Sequence, residues 1–129
     1  MLLLSAICLF APFPLLIVEQ LLPFPFLIEE IFRYFVVKNT PEKNNWLYPI
    51  VFGILFSLSE TMLYLVNFFK LGNFENLFLR IILTTSLHTG LFVLMYFFRS
   101  RKALSILFLV NAIIIHYLYN FQVGFRMGV

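Results

Sequence analysis

Polar residues are sparse along this chain, and their positions divide it into a series of apolar segments. The apolar runs cover approximately residues 2–22, 26–37, 47–69, 77–98 and 103–122. A helix of about 20 apolar residues is long enough to cross the hydrocarbon core of a bilayer. We therefore predict an all-α fold, a polytopic transmembrane bundle of four to five helices, in which residues 1–129 form a single membrane-embedded domain.

Prolines interrupt the beginning of the chain. Pro12 and Pro14 lie within the first segment, and Pro23 and Pro25 separate it from the second. Proline removes a backbone donor and clashes with the preceding turn of a helix, so the first segment is predicted to be broken. The helix over 26–37 would be only about 18 Å long, which suits a partial crossing or the second half of a broken one.

Small and polar residues recur at helical spacing within the later segments. The third segment carries five of them at intervals of four, three, four and three: Gly53, Ser57, Glu60, Tyr64 and Asn67. Such a stripe on an otherwise apolar helix is predicted to face the inside of a bundle. The pairs Thr84/His88 and His116/Asn120 are each four residues apart and share a face in the same way.

Composition supports a membrane protein. Of the 129 residues, 62% are hydrophobic and 12% are charged, and 18 are Phe. A water-soluble globule of this length would lack the polar groups to cover its surface. The sequence has neither a basic patch for nucleic acid nor a glycine-rich phosphate loop, which excludes those partners, and the lone Cys8 has no cysteine with which to form an internal disulfide.

Basic residues predict the orientation. The loops 38–45 and 99–102 lie on the same side because two crossings separate them, and they contain Lys38, Lys43, Arg99, Arg101 and Lys102. The positive-inside rule makes this side cytoplasmic, in a multi-pass protein of the cytoplasmic (inner) membrane. The opposite side holds Lys70, Arg80 and Arg126, so the excess of positive charge is moderate.

Ionisable residues inside the apolar segments are the main functional signal. They are Glu29, Glu30, Glu60, His88 and His116. Each charge at the bilayer centre costs about 2.5 to 3.5 kcal/mol on insertion scales, so such residues usually face the bundle interior. Counted from the basic loops at 1.5 Å per residue, they lie about 12 to 20 Å deep. We predict that four helices bring them to one site.

Structural explanations exist for each residue taken alone. Glu29 and Arg33 have the spacing of an intrahelical ion pair, although one arginine leaves the second of two adjacent acids without a partner. Glu60 and either histidine could be interhelical hydrogen-bonding residues. These explanations would have to hold independently in four helices, whereas a single site accounts for all of them.

The chemistry-bearing residues resemble a known pattern. Four motifs follow one another: Glu29-Glu30-x-x-Arg33, Gly53-(x)2-Phe56-(x)3-Glu60-Thr61-(x)2-Tyr64, His88, and His116-(x)3-Asn120. In this order they resemble the PrsW-type intramembrane proteases, relatives of the CAAX prenyl proteases and of the bacterial CPBP group. The PrsW pattern usually has Lys at the position of Arg33 and Asn at the position of Thr61.

The resemblance implies an endopeptidase that hydrolyses membrane proteins or lipid-modified peptides within the bilayer. Glu29 would be the base that activates water. Glu30 and Arg33 would support it, His88 would orient the water, and Glu60 would complete the hydrogen-bond network. His116 and Asn120 would donate hydrogen bonds to the oxyanion of the tetrahedral intermediate.

Alternatives remain open. Glu29, His88 and His116 are also a candidate zinc set with an open fourth position. No HExxH pair lies on one helix, so no cofactor is favoured. Outside catalysis, a proton or ion carrier would also carry acids and histidines at mid-membrane, and a non-enzymatic assembly or immunity partner is a further class.

Overall fold

Helices make up nearly all of the described chain. The computed structural model describes residues 2–21, 24–41, 45–71 and 77–127. Its helices are α1 (Leu2–Phe10), α2 (Pro12–Leu21), α3 (Pro25–Lys38), α4 (Leu47–Leu71), α5 (Leu77–Phe98) and α6 (Lys102–Met127). The described ranges contain no strand, and the all-helical prediction is confirmed.

The first predicted helix is interrupted at Ala11. α1 ends at Phe10 and α2 begins at Pro12, where proline occupies a first turn that needs no backbone donor. The Ala11 amide still donates to the Ile7 carbonyl at 2.8 Å. The break predicted from the prolines is therefore present, as a local interruption between two consecutive helices.

Side chains close the C-terminal end of α3. The last carbonyls of a helix have no partner within it. Here the Asn39 side chain donates to the Phe35 carbonyl at 2.8 Å, and the Thr40 hydroxyl donates to the Val36 carbonyl at 2.9 Å. This end lies beside the α5–α6 connection, because Lys38 Nζ donates to the Arg99 carbonyl at 2.6 Å. Lys38 and Arg99, one from each basic loop, thus meet at one end of the bundle, whereas residues 42–44 lie outside the described ranges.

α4 and α5 approach each other closely along their small residues. The Gly53 position on α4 faces the Thr89 backbone on α5, and the Ser57 and Thr85 hydroxyls are hydrogen-bonded at 2.7 Å. Small residues allow helix backbones to come together in this way. The predicted stripe is buried at Gly53, Ser57 and Glu60, whereas the side chains of Tyr64 and Asn67 lie outside the described residues.

An aromatic layer fills the bundle at the end nearest the basic loops. It consists of Phe52, Phe56 and Phe92, which are each at most 1% exposed, with the Phe92 ring 6.1 Å from Phe52 and 6.3 Å from Phe56 between centroids. Val36 of α3 and Met95 of α5 belong to the same buried core. Large aromatic surfaces of this kind contribute strongly to packing between helices.

The outer surface is strongly apolar. On α5 and α6 the exposed side chains include Phe78, Ile82, Leu94, Phe97, Ile106, Val110, Ile114 and Phe121. Among the described residues, Leu77–Phe98 and Lys102–Gln122 are long and apolar enough to cross a membrane by length and composition. Two shorter apolar stretches are Leu2–Leu15, which covers α1 and the start of α2, and Leu47–Leu63, which is the first part of α4.

The contact between α4 and α5 gives a first test. A Cβ at residue 53 would lie 2.4 Å from the Thr89 Cα, and backbone cannot move aside as a flexible side chain does. Gly53→Ala should therefore lower the free energy of unfolding by about 1 to 3 kcal/mol. Unfolding in mixed detergent micelles, followed by circular dichroism, measures this change.

Gly90→Ala is the matched control. A Cβ at residue 90 would meet nothing within 4 Å, and alanine is the better helix former by about 1 kcal/mol. Its stability should equal or exceed that of the wild type. Equal stability of the two variants would contradict the close approach of α4 to α5.

Candidate functional site

Four helices bring ionisable side chains together inside the bundle. The polar cluster consists of Glu29, Glu30 and Arg33 from α3, Glu60 from α4, His88 from α5 and His116 from α6. Glu30, Arg33 and His88 are completely buried, and His116 is 1% exposed. Glu29 and Glu60 keep slightly more exposure, 8% and 9%. Five of the six residues predicted to be catalytic therefore lie in one buried place.

The cluster is a continuous chain of polar contacts. Glu60 is paired with His88 Nε2, and Arg33 Nη2 donates to His88 Nδ1. Arg33 Nη1 donates to Glu30 Oε1, which also accepts from His116 Nδ1 at 2.8 Å. His116 Nε2 in turn lies 3.6 Å from Glu29 Oε2. Each contact but one joins two helices, so the chain of contacts fixes α3 against α4, α5 and α6.

Arg33 lies at the middle of this chain. A charge in an apolar interior must be paired and hydrogen-bonded. Besides its bonds to Glu30 and His88, the guanidinium carbon lies 5.6 Å from the Phe56 ring centroid and 5.1 Å from the Phe92 ring centroid. Both rings belong to the aromatic layer, and their faces attract a cation. The arginine therefore connects the polar cluster to the packed core.

Hydrogen-bonding capacity fixes the state of His88. Arginine only donates, so His88 Nδ1 must accept and cannot carry the proton. The ring proton is then on Nε2, which faces the Glu60 carboxylate. His88 is thus a neutral imidazole with both nitrogens engaged.

His116 carries its proton on the other ring nitrogen, Nδ1. The Glu30 carboxylate, paired with Arg33, accepts hydrogen bonds, so His116 Nδ1 carries the proton. In the neutral ring, Nε2 then has a lone pair directed to the side of Glu29. The carboxylate that accepts from Nδ1 fixes the tautomer and the orientation of the ring, as the aspartate does for the histidine of a catalytic triad.

The ion pair of α3 differs from one sequence-based interpretation. The four-residue spacing allowed Arg33 to pair with Glu29, but it pairs with Glu30, three residues away. Both spacings bring side chains together on a helix surface. Glu30 is selected because it also reaches His116, and Glu29 is directed to the Nε2 side of the same ring.

Asn120 is the sixth residue predicted to be catalytic. It is half-buried on α6, one turn after His116, and within the described part of the chain its side chain makes no hydrogen bond to the cluster. Its role as an oxyanion donor therefore stays a prediction. A neighbouring residue that sequence reasoning missed is Tyr119, whose hydroxyl is hydrogen-bonded to Thr84 at 2.7 Å. Its position three residues after His116 on one helix was the available signal.

Metal-ligating atoms are also close together. Glu29, His88 and His116 each offer one ligand atom, and these atoms lie within 4.8 Å of one another. Zinc needs a lone pair on each histidine nitrogen that binds it. His88 has none to give while Arg33 donates to Nδ1 and the proton occupies Nε2. An ion bound by all three residues would require Arg33 to leave His88.

Removal of the buried arginine charge tests the cluster as a structural unit. Arg33→Met would leave the Glu30 carboxylate buried without its cationic partner, which should lower stability in mixed micelles by about 3 to 5 kcal/mol. The double variant Glu30→Gln/Arg33→Met should recover part of this loss because it leaves neither charge unpaired. Arg101→Met, at an exposed position, should change stability by less than about 0.5 kcal/mol. An equal effect at both arginines would contradict the pairing.

Comparison with known proteins adds no relative. No family model, no curated protein and no solved structure matches the chain. The likeness to PrsW-type proteases therefore depends on the order and spacing of the motif residues.

Proposed function

We propose that this chain is a multi-pass intramembrane endopeptidase that hydrolyses peptide bonds with a water molecule activated by Glu29. One observation carries the proposal: the Glu29 carboxylate lies 3.6 Å from His116 Nε2, and the Glu30 carboxylate accepts a hydrogen bond from Nδ1 of the same ring. A carboxylate next to an oriented imidazole provides one group to take a proton from water and another to pass it on. No metal is needed for these steps.

The proposed reaction uses these groups in sequence. Glu29 takes a proton from water while the water oxygen bonds to the carbonyl carbon of the peptide. The proton passes to His116 Nε2, and the imidazolium is stabilised by Glu30. The carbon–nitrogen bond then breaks as His116 gives this proton to the leaving nitrogen. Asn120, one turn further along α6, is our candidate donor to the oxyanion.

The remaining residues act through His116 and Glu29. Arg33 keeps Glu30 in position as a hydrogen-bond acceptor and therefore sets the orientation of the His116 ring. Glu60 and Arg33 hold His88 as a neutral ring, whose centroid is 5.3 Å from that of His116 at an interplanar angle of 86°. We assign Arg33, Glu60 and His88 to positioning. In particular, the engaged nitrogens of His88 do not favour the role of water-binding base.

The apolar outer surface supports the proposal of a membrane environment. α5 and α6 are the clearest spans, and we propose that α4, which at 25 residues is about 37 Å long, crosses with them. α3 would enter part of the bilayer, and the loops 38–45 and 99–102 would face the cytoplasm from the inner membrane. The substrate would be a membrane protein or a lipid-modified peptide, because only such molecules reach a site buried in this position.

The zinc-dependent version of the enzyme is the second candidate. The proximity of the ligand atoms of Glu29, His88 and His116 favours it. The hydrogen bond from Arg33 to His88 weighs against it, and so does the presence of a guanidinium charge where a divalent ion would add positive charge. We therefore prefer the version without metal.

Non-enzymatic functions account for less of the arrangement. A carrier needs a polar path to both membrane faces, but the aromatic layer of Phe52, Phe56 and Phe92 lies between the cluster and the basic loops. An assembly partner would need only enough pairing to satisfy its buried charges. Neither function requires a second carboxylate beside His116.

Replacement of Glu29, the proposed base, tests this mechanism. With a panel of fluorogenic transmembrane and lipid-modified peptides in detergent, Glu29→Gln should reduce cleavage by about 10²- to 10⁴-fold, since the amide cannot take a proton. His116→Ala should reduce it by a similar factor. Ile31→Ala, an exposed neighbour on α3, should retain wild-type rates. Cleavage by Glu29→Gln at the wild-type rate would exclude the proposed mechanism. So would a wild-type protein that cleaves none of the peptides.

Removal of metal ions distinguishes the metal-free mechanism from the zinc-dependent one. Treatment with 1,10-phenanthroline followed by metal-free buffer should leave the cleavage rate unchanged, and purified protein should contain less than one zinc per ten chains, on the order expected for adventitious binding. Loss of activity that returns on addition of Zn²⁺ would establish the zinc-dependent version. The zinc content of Arg33→Lys should be compared with that of the wild type. An ammonium cannot bridge Glu30 and His88 with the planar fork of a guanidinium, so this variant weakens the contact with His88 that weighs against zinc.

A further inference from the structure

The surroundings of the polar cluster differ between the two ends of the bundle. Toward the basic loops, α4 and α5 continue with the aromatic layer, at Phe56 and Phe52 on α4 and at Phe92 on α5. Met95 and Tyr96 follow on α5 and are each 2% exposed. On α4 and α5 the described core at this end is therefore mainly apolar. On α3 and α6, the Tyr34 and Ser105 hydroxyls are hydrogen-bonded to each other at 3.3 Å, and among the described residues no hydrogen bond continues from them to the cluster.

Polar residues continue from the cluster in the opposite direction. On α5, Thr84 and Arg80 lie one and two turns before His88. On α6, Tyr119 and Asn120 lie one turn beyond His116. Residues at intervals of four share a helix face, so these side chains extend the inward face of each helix away from the basic loops.

A direct contact joins the two polar faces. The Thr84 hydroxyl is 2% exposed and is hydrogen-bonded to the half-buried Tyr119 hydroxyl at 2.7 Å. Thr84 and Tyr119 thus continue the hydrogen-bonding groups of the cluster by one step toward the end where α5 begins.

The residual exposure of the cluster is consistent with this direction. Glu30, Arg33 and His88 are inaccessible, whereas Glu29 and Glu60 retain 8% and 9% exposure. Glu29 precedes Arg33 on α3, and Glu60 follows Phe56 on α4. Both accessible acids therefore lie on the side of the cluster that is remote from the basic loops.

We infer that water reaches the polar cluster from the end of the bundle at which α5 begins, along the column formed by Arg80, Thr84 and Tyr119, and not from the end that carries the basic loops. This inference deepens the proposed function, because it names the source of the water to be activated. Hydroxyl groups can donate and accept, so they suit a line of water molecules.

Thiol labelling tests the direction of access without any substrate. The chain has a single cysteine, so Cys8→Ala provides a background without thiols. Thr84→Cys then introduces a thiol of nearly the same size beside the cluster. The probe is a membrane-impermeant cationic methanethiosulfonate reagent, applied to sealed proteoliposomes from outside. Ser100→Cys, exposed in the basic loop, reports which end of the bundle faces outward in each population.

Ser86→Cys is the matched control for depth. It lies on α5 two residues from Thr84, but its side chain is exposed on the outer surface. In vesicles where Ser100→Cys is protected, Thr84→Cys should react at least about 100-fold faster than Ser86→Cys, a factor that corresponds to the cost of moving a charge into hydrocarbon. If Thr84→Cys does not yield folded protein, Tyr119→Cys takes its place.

Two outcomes would overturn the inference. One is reaction of Thr84→Cys only in vesicles where Ser100→Cys also reacts, and the other is equally slow reaction of Thr84→Cys and Ser86→Cys. Neither outcome bears on peptide hydrolysis, which the Glu29→Gln comparison tests separately. An active enzyme with labelling from the loop end would refute the route alone, and an inactive protein with the expected labelling would refute the proposed function alone.

Discussion

The burial of the Arg33 charge is the constraint from which the rest of the site follows. A guanidinium has five donors and no means of becoming neutral, so an apolar bundle must provide acceptors for it. Glu30 and His88 supply them, and the Phe56 and Phe92 rings enclose the guanidinium group. Because these partners come from three helices, satisfying one charge specifies how α3, α4 and α5 are arranged. Glu30 then extends the same constraint to α6 through His116.

Fixed partners also give the two histidines different chemistry. His88 Nδ1 accepts a hydrogen bond from Arg33, and its protonated Nε2 faces the Glu60 carboxylate. The ring therefore has no free lone pair. His116 donates a hydrogen bond from Nδ1 to the Glu30 carboxylate, and its Nε2 lies on the side of Glu29. Two residues of one type, with ring centroids 5.3 Å apart, therefore differ in hydrogen bonding, and in the proposed reaction His88 would position its neighbours while His116 would carry the proton. The difference arises from whether Arg33 or Glu30 is the partner of Nδ1.

The sequence predicts the helices and the members of the cluster better than it predicts their contacts. Apolar runs and prolines are local signals, so the helical segments and the break near Pro12 can be read directly. Counting along each helix also places Glu60, His88 and His116 at a similar level, and the structure brings their side chains together. In contrast, the choice of Glu30 over Glu29 depends on His116, 86 residues away, because both helical spacings suit Arg33. The link between Thr84 and Tyr119 depends in the same way on the rotation of two helices, which periodicity alone does not specify.

A purely structural role accounts for only part of the cluster. Neutralising Arg33 requires one carboxylate, and Glu30 provides it. Each further buried ionisable group adds a desolvation cost, and apolar replacements of buried ionic groups are often equally or more stable. Glu29 beside His116 is such an addition, since the ion pair and the aromatic layer would remain complete without it. A second carboxylate at the imidazole nitrogen that Glu30 does not hold is the arrangement that the proposed transfer of a proton from water uses, and neither the Arg33 ion pair nor the aromatic layer requires it.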